Sequence, residues 1–189
     1  MKCTRTSFVF VVAVACSLLR GGSLHGQSES VDVEKAIKMK AAYLLNFAKF
    51  VTWPAGAFQD ERSPIVIGIV GSDPFGAVLD QTIQGKTVSG RELKIQRFRW
   101  RAGDALSGVK QCHLLYVSSS LGSDTGQLIA ALTHAPILLV GEGTEFARLG
   151  GMLGFMVEEG RIVFWANKSA AESSKLQLSS QLLKLARPM

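Results

Sequence analysis

Residues Pro64-Ile65-Val66-Ile67-Gly68-Ile69-Val70-Gly71-Ser72-Asp73-Pro74 decide the fold. The apolar run is short, continuous and rich in β-branched side chains. An alternating pattern would mean one wet face; a continuous one means a strand buried on both. Gly71 to Pro74 is turn chemistry, and the periodicity resumes as a helix over 75–83. Two further runs repeat the sequence of buried strand, polar end and helix. Cys112-His113-Leu114-Leu115-Tyr116-Val117 leads through Ser118-Ser119-Ser120 to a helix over 124–132. Pro136-Ile137-Leu138-Leu139-Val140-Gly141 leads to a short helix over 145–149.

Working outward, the spacing of Ile37, Ala41, Leu44, Leu45, Ala48 and Val51 predicts an amphipathic helix over 31–50, stopped before Trp53-Pro54. Thr87-Val88 and the alternating Leu93, Ile95 and Phe98 predict an edge-like strand with charged residues between. Residues 152–157 and 161–166 flank Glu158-Glu159-Gly160 and predict an antiparallel hairpin. Leu176, Leu178, Leu182, Leu183 and Leu185 suggest a last helix over 170–186. Strands alternating with helices make an α/β single domain: a mainly parallel, mixed sheet with helices on both faces and a C-terminal hairpin plus helix.

The amino terminus reads as an export signal. Lys2 and Arg5 precede an apolar run over 8–19, followed by a polar, glycine-rich stretch over 20–27. The run is shorter than the roughly 20 residues that span a bilayer. The expected division is 1–26 signal peptide and 27–189 single domain, with no integral membrane span in the mature form. A degenerate lipobox at Ala13-Val14-Ala15-Cys16 is the competing processing site. The chain of 189 residues carries +6; beyond the signal, 18 basic residues face 15 acidic ones, or +3. That mild excess favours solubility over nucleic-acid binding. Cys112 is then the lone cysteine, so no internal disulfide is available.

Catalytic patterns are missing. Gly68 to Asp73 sits where α/β folds bind phosphate, but there is no GxGxxG and no Walker lysine. His113 and His134 fit structural roles, and no spacing suggests a metal or a cofactor. A hydrolase would need Ser118 or Ser119, a histidine and Asp73 or Asp124 to converge, without the GxSxG elbow. The residues singled out for partner contact are Trp53, at the corner after the first helix, and Arg97, Arg99, Trp100 and Arg101, in a basic stretch that also holds Arg91, Lys94 and Phe98.

Lys40-Ala41-Ala42-Tyr43-Leu44-Leu45-Asn46-Phe47-Ala48-Lys49-Phe50-Val51-Thr52-Trp53-Pro54 resembles the opening signature of the YfiR/HmsC family of exported bacterial proteins. The similarity continues through residues 67–76, Gly85-Lys86, residues 112–118 and 150–155, Ile162-Val163-Phe164, Asn167 and residues 176–186. The resemblance implies a non-enzymatic periplasmic regulator that can dimerise. It would repress an inner-membrane diguanylate cyclase, or a related sensor protein, through its periplasmic part. Lower cyclic-di-GMP and less biofilm would follow. Some members carry cysteines paired for redox control, a feature that Cys112 alone cannot supply. The alternative is a periplasmic module that binds or senses a small ligand, in a pocket at the strand ends near Gly71, Ser118 and Gly141. A purely structural envelope role is the remaining option.

Overall fold

The computed structural model describes residues 25–187. The export segment therefore lies outside the described residues, except that positions 25 and 26 already stand in the first turn of α1 (His25–Phe50). This helix begins six residues before the expected start. Among the described residues no helix is long and apolar enough to cross a membrane.

Seven strands form the main sheet: β2 (Ile65–Val70), β3 (Thr87–Val88), β4 (Arg91–Phe98), β5 (Leu114–Val117), β6 (Leu138–Glu142), β7 (Leu153–Glu158) and β8 (Arg161–Ala166), in the order β3-β4-β2-β5-β6-β7-β8. β4, β2, β5, β6 and β7 run parallel; β3 and β8 close the two edges antiparallel. The continuous apolar run of β2 is explained by its place, paired on both sides and buried along nearly its whole length. From β2 the chain goes out through α2 (Ala77–Ile83) to β4, then returns past β2 to β5. It continues through α3 (Asp124–Leu132) and α4 (Gly143–Arg148) to β6 and β7. The order of connection reverses at β2, and in such sheets the crevice opens at the carboxyl ends of the strands there. β4 is the edge-like strand expected, because β3 covers only Arg91 and Glu92 of its outer side.

Each face is packed by a different device. On one, Tyr43 and Phe47 of α1 meet Phe155 of β7 and Phe164 of β8, with ring centroids 5.0 to 5.9 Å apart. Successive strand residues point to opposite faces, so Trp165 lies on the other. There Phe146 of α4 sits 6.2 Å from Trp165. Glycines make room for both rings. A Cβ on Gly141 would stand 2.6 Å from Phe146, and one on Gly154 would collide with the Trp165 indole. Trp165 Nε1 is buried with no hydrogen-bond partner among the described residues, so shape seats the ring. The hairpin turns through Glu159 and Gly160, both at positive φ (49° and 72°), the two-residue geometry that matches strand twist.

The single helix expected over 170–186 does not form. Instead α5 (Lys168–Ser173) stops, Lys175 takes φ 60°, and β9 (Gln177–Leu178) pairs antiparallel with β1 (Val51–Thr52) before α6 (Ser180–Leu185). Leu176 and Leu178 are two apart, a strand spacing, and both are buried only in the extended form. Asn167 and Ser179 cap the two short helices through Ala170 N–H and Leu182 N–H.

Gly154→Ala should destabilise the domain by about 1–3 kcal/mol in urea unfolding, because the added methyl displaces a ring in a close-packed core. Combining it with Trp165→Phe should cost less than the sum of the two single changes.

Candidate functional site

The carboxyl end of β2 is built around Gly71, at φ 89°. A Cβ there would stand 2.7 Å from Ser120 Oγ and would also overlap Leu121, so only glycine lets the turn after β5 close over β2. Ser120 Oγ accepts from Ser72 N–H at 2.8 Å and donates to Ser118 Oγ at 3.1 Å. Ser118 and Ser120 are thereby committed to building this turn, while Ser119 between them is exposed. Asp73 accepts from Phe75 N–H at 2.7 Å, two residues ahead of α2 rather than as its cap, which is Gly76.

Arg97, near the end of β4, ties three segments together. Its Nε donates to Asp73 Oδ2 at 2.7 Å, and its two terminal nitrogens donate to Asp80 at 2.6 and 3.3 Å and to Gly76 O at 3.1 Å. Hydrogen bonds to Asp80, then Asp73, raise its already high pKa further. The pair is partly exposed and contributes little stability, but the forked geometry fixes direction. Beyond it Trp100 is 7% exposed, with Nε1 donating to Asp104 O at 3.2 Å. Arg101 N–H donates to Asp104 Oδ2 at 2.8 Å, and Ala102 N–H to Asp124 Oδ2 at 3.3 Å. Between these walls lies a cleft of about 750 Å³, open to solvent, lined by Ser72, Asp73, Arg97–Arg101, Asp104, Leu121 and Asp124 among others. It lies on the β4 side of β2. Of the three residues expected to mark a pocket, Gly71 lines it, Ser118 supports it through Ser120, and Gly141 is not part of its lining.

The four residues at 97 and 99–101 are thus brought together, and Trp53 is not among them. Trp53 sits at the opposite, amino-terminal end of the sheet, half-buried, with Nε1 donating to His113 O at 3.0 Å. His113 is locked beside it. Its Nδ1 accepts from Val66 N–H at 3.1 Å, which leaves the ring proton on Nε2 to donate to Ala57 O at 3.0 Å. Phe58 stacks on the imidazole at 4.3 Å, and Arg91 covers Phe58 at 3.9 Å while donating to Asp60 O and Ser63 O. Burial, helped by the Arg91 charge, holds the His113 pKa below its ordinary value. Cys112, packed against Gly68, has its thiol pushed up to about 12 by burial.

The serines and histidines of the hydrolase expectation do not converge among the described residues. His113 precedes β5 and Ser118 follows it, five residues or roughly 16 Å of extended chain apart. His134, at φ 71°, bonds to Ser173 O beyond the end of α3. Among the described residues no group of three His, Cys, Asp or Glu side chains could hold a metal. One cluster escaped sequence reasoning. Lys40 of α1 donates to Glu142 Oε1 at 2.8 Å, and Tyr116 Oη donates to the same oxygen. Burial, then Glu142, raises the Tyr116 pKa. The three come from distant parts of the chain; the only hint was Lys40 inside an apolar stretch. They pin α1 to the strand ends.

A family model described as YfiR/HmsC-like matches residues 37–187. The match covers both the β1–β9 closure and the cleft.

Two outcomes follow from the buried groups. Iodoacetamide at pH 8 should leave Cys112 unmodified in the native protein and alkylate it in urea, since the thiolate is the reactive form. A His113 pKa depressed on folding means that the unfolded chain binds the extra proton first. Unfolding free energy should therefore be highest above about 6.5, the ordinary histidine value, and fall as the pH drops toward the lowered folded value. His113→Gln should flatten that slope in urea titrations between pH 7 and 5.

Proposed function

Because the chain belongs to the YfiR/HmsC-like family, we propose that this regulatory protein represses an inner-membrane diguanylate cyclase by direct contact in the periplasm, lowering cyclic-di-GMP and biofilm formation. The family match carries the reading. Residues 1–26 act as the export signal and residues 27–189 as the working domain. The protein needs no catalysis of its own, because the nucleotide is made on the far side of the membrane.

Contact falls to the segment at 97–101. Arg99 and Arg101 are exposed, and no side-chain partner holds them among the described residues. Arg97 and Trp100 anchor the segment from below, through Asp73, Asp80 and Asp104. Exposed guanidinium groups carried just beyond a strand end suit a reversible, partly polar interface with an acidic surface. Trp53 is spent on bracing His113, so it supports the corner at 53–58 and leaves the charged contact to the arginines.

Arg99→Glu/Arg101→Glu, folded by circular dichroism and exported normally, should raise cellular cyclic-di-GMP to the level of a strain lacking the protein. Recovery of the cyclase by periplasmic crosslinking should drop at least about tenfold, the effect of losing some 1.4 kcal/mol of contact energy. Unchanged nucleotide levels and unchanged recovery would remove this segment from the interface. A folded wild-type bait that captures no cyclase from native membranes would remove the repression reading itself.

A further inference from the structure

The cleft at the carboxyl ends of β4, β2 and β5 has features that contact with a protein partner does not require. Its volume, about 750 Å³, falls in the range of small-molecule sites, and it opens beside the strand where the sheet order reverses. Phe98, Trp100 and Leu121 give it apolar wall. Its charges are unequally engaged. Asp73 is held by Arg97 and Phe75 N–H, Asp104 by Arg101 N–H, and Asp124 by Ala102 N–H. Arg97 is held by Asp73 and Asp80. The guanidinium groups of Arg99 and Arg101 are the lining charges left with no polar partner among the described residues.

We propose that this cleft binds a small organic molecule bearing an oxyanion group, with the oxyanion on Arg99 and Arg101 and an apolar body against Phe98, Trp100 and Leu121. Planar guanidinium donors match the paired oxygens of a carboxylate or a phosphate. Asp104 and Asp124 accept from the backbone N–H groups at 101 and 102 and so set the cleft wall, and neither carboxylate is hydrogen-bonded to the side chain of Arg99 or Arg101. A merely solvated strand end would need neither the glycine-enabled closure at Gly71 nor a buried Trp100 beneath the arginines. The site gives the regulator an input of its own, independent of which membrane protein it contacts.

The test uses the purified exported protein, phenyl phosphate and benzoate as probes, and benzylamine as a control of opposite charge. Two-dimensional NMR follows the Trp100 indole N–H and the Ser72 amide. Both oxyanion probes should produce saturable shifts at these two positions, and benzylamine should not. Arg99→Gln/Arg101→Gln should weaken binding at least about tenfold, whereas Lys94→Gln, outside the cleft, should leave it unchanged. Tighter binding of phenyl phosphate would identify a phosphorylated ligand, and tighter binding of benzoate a carboxylated one. The proposal is overturned by any of three results in folded protein: no saturable shift with either oxyanion at about 10 mM, equal shifts with benzylamine, or undiminished binding in the double variant. None of these bears on recovery of the cyclase, so the two readings stand or fall separately.

Discussion

Everything in this protein hangs on the burial of one strand. β2 is covered on both faces and hydrogen-bonded on both sides, and its side chains leave no polar route to solvent. A strand in that position must be parallel to its neighbours if helices are to return the chain over the faces. Once β2 pairs with β4 on one side and β5 on the other, the connections have to part there. Their parting leaves a crevice at the carboxyl ends, and residues 71–73, 97–101, 104, 120, 121 and 124 form its walls. The site is a consequence of the topology before it is a consequence of any charged residue.

How much could be read in advance follows the range of each interaction. The three buried strands, the hairpin and α3 carry their signal in adjacent residues, and they were legible. The tail was misread because its leucines satisfy two periods at once. Leu176 and Leu178 repeat at two, while Leu178, Leu182 and Leu185 repeat at three to four. The pairing partner that decides between them, Val51, is more than a hundred residues away. The cleft shows the same division. Its basic segment was visible as a row of arginines, but the row does not say which of them are spoken for. Arg91 is taken by the loop at 60–63 and Arg97 by Asp73 and Asp80. Only the folded geometry separates these structural arginines from Arg99 and Arg101. Trp100 was legible as an aromatic beside charges; that its ring is buried under the cleft was not.

The groups that could carry covalent or acid–base chemistry are absorbed by the scaffold. Ser118 and Ser120 spend their hydroxyls on the turn over β2. His113 is kept neutral with both nitrogens engaged, Cys112 is kept protonated, and Tyr116 is tied to Glu142 and Lys40. For the buried ones, Ser118, His113, Cys112 and Tyr116, a missing partner would cost more than the bond itself contributes. Satisfying them stabilises the fold and at the same time removes them from reaction.

Two exposed guanidinium groups without a side-chain partner among the described residues, Arg99 and Arg101, stand at the strand ends beside carboxylates that bind backbone N–H groups. A long side chain that must be ordered before it can bind loses affinity to entropy. Here the backbone on either side of Arg99 and Arg101 is already fixed, by the Arg97 fork before them and by the Asp104 and Asp124 carboxylates after them. The backbone share of that ordering is therefore complete before any partner or ligand arrives, and only the two exposed side chains have rotamer freedom left to lose. Free arginines that project from a fixed backbone are suited to recognition. On the two proposals above, an acidic protein surface and a small oxyanion would draw on the same two arginines, so occupancy of the cleft would oppose contact with a partner. Such competition would be the simplest physical route by which a small molecule relieved a contact made through this segment.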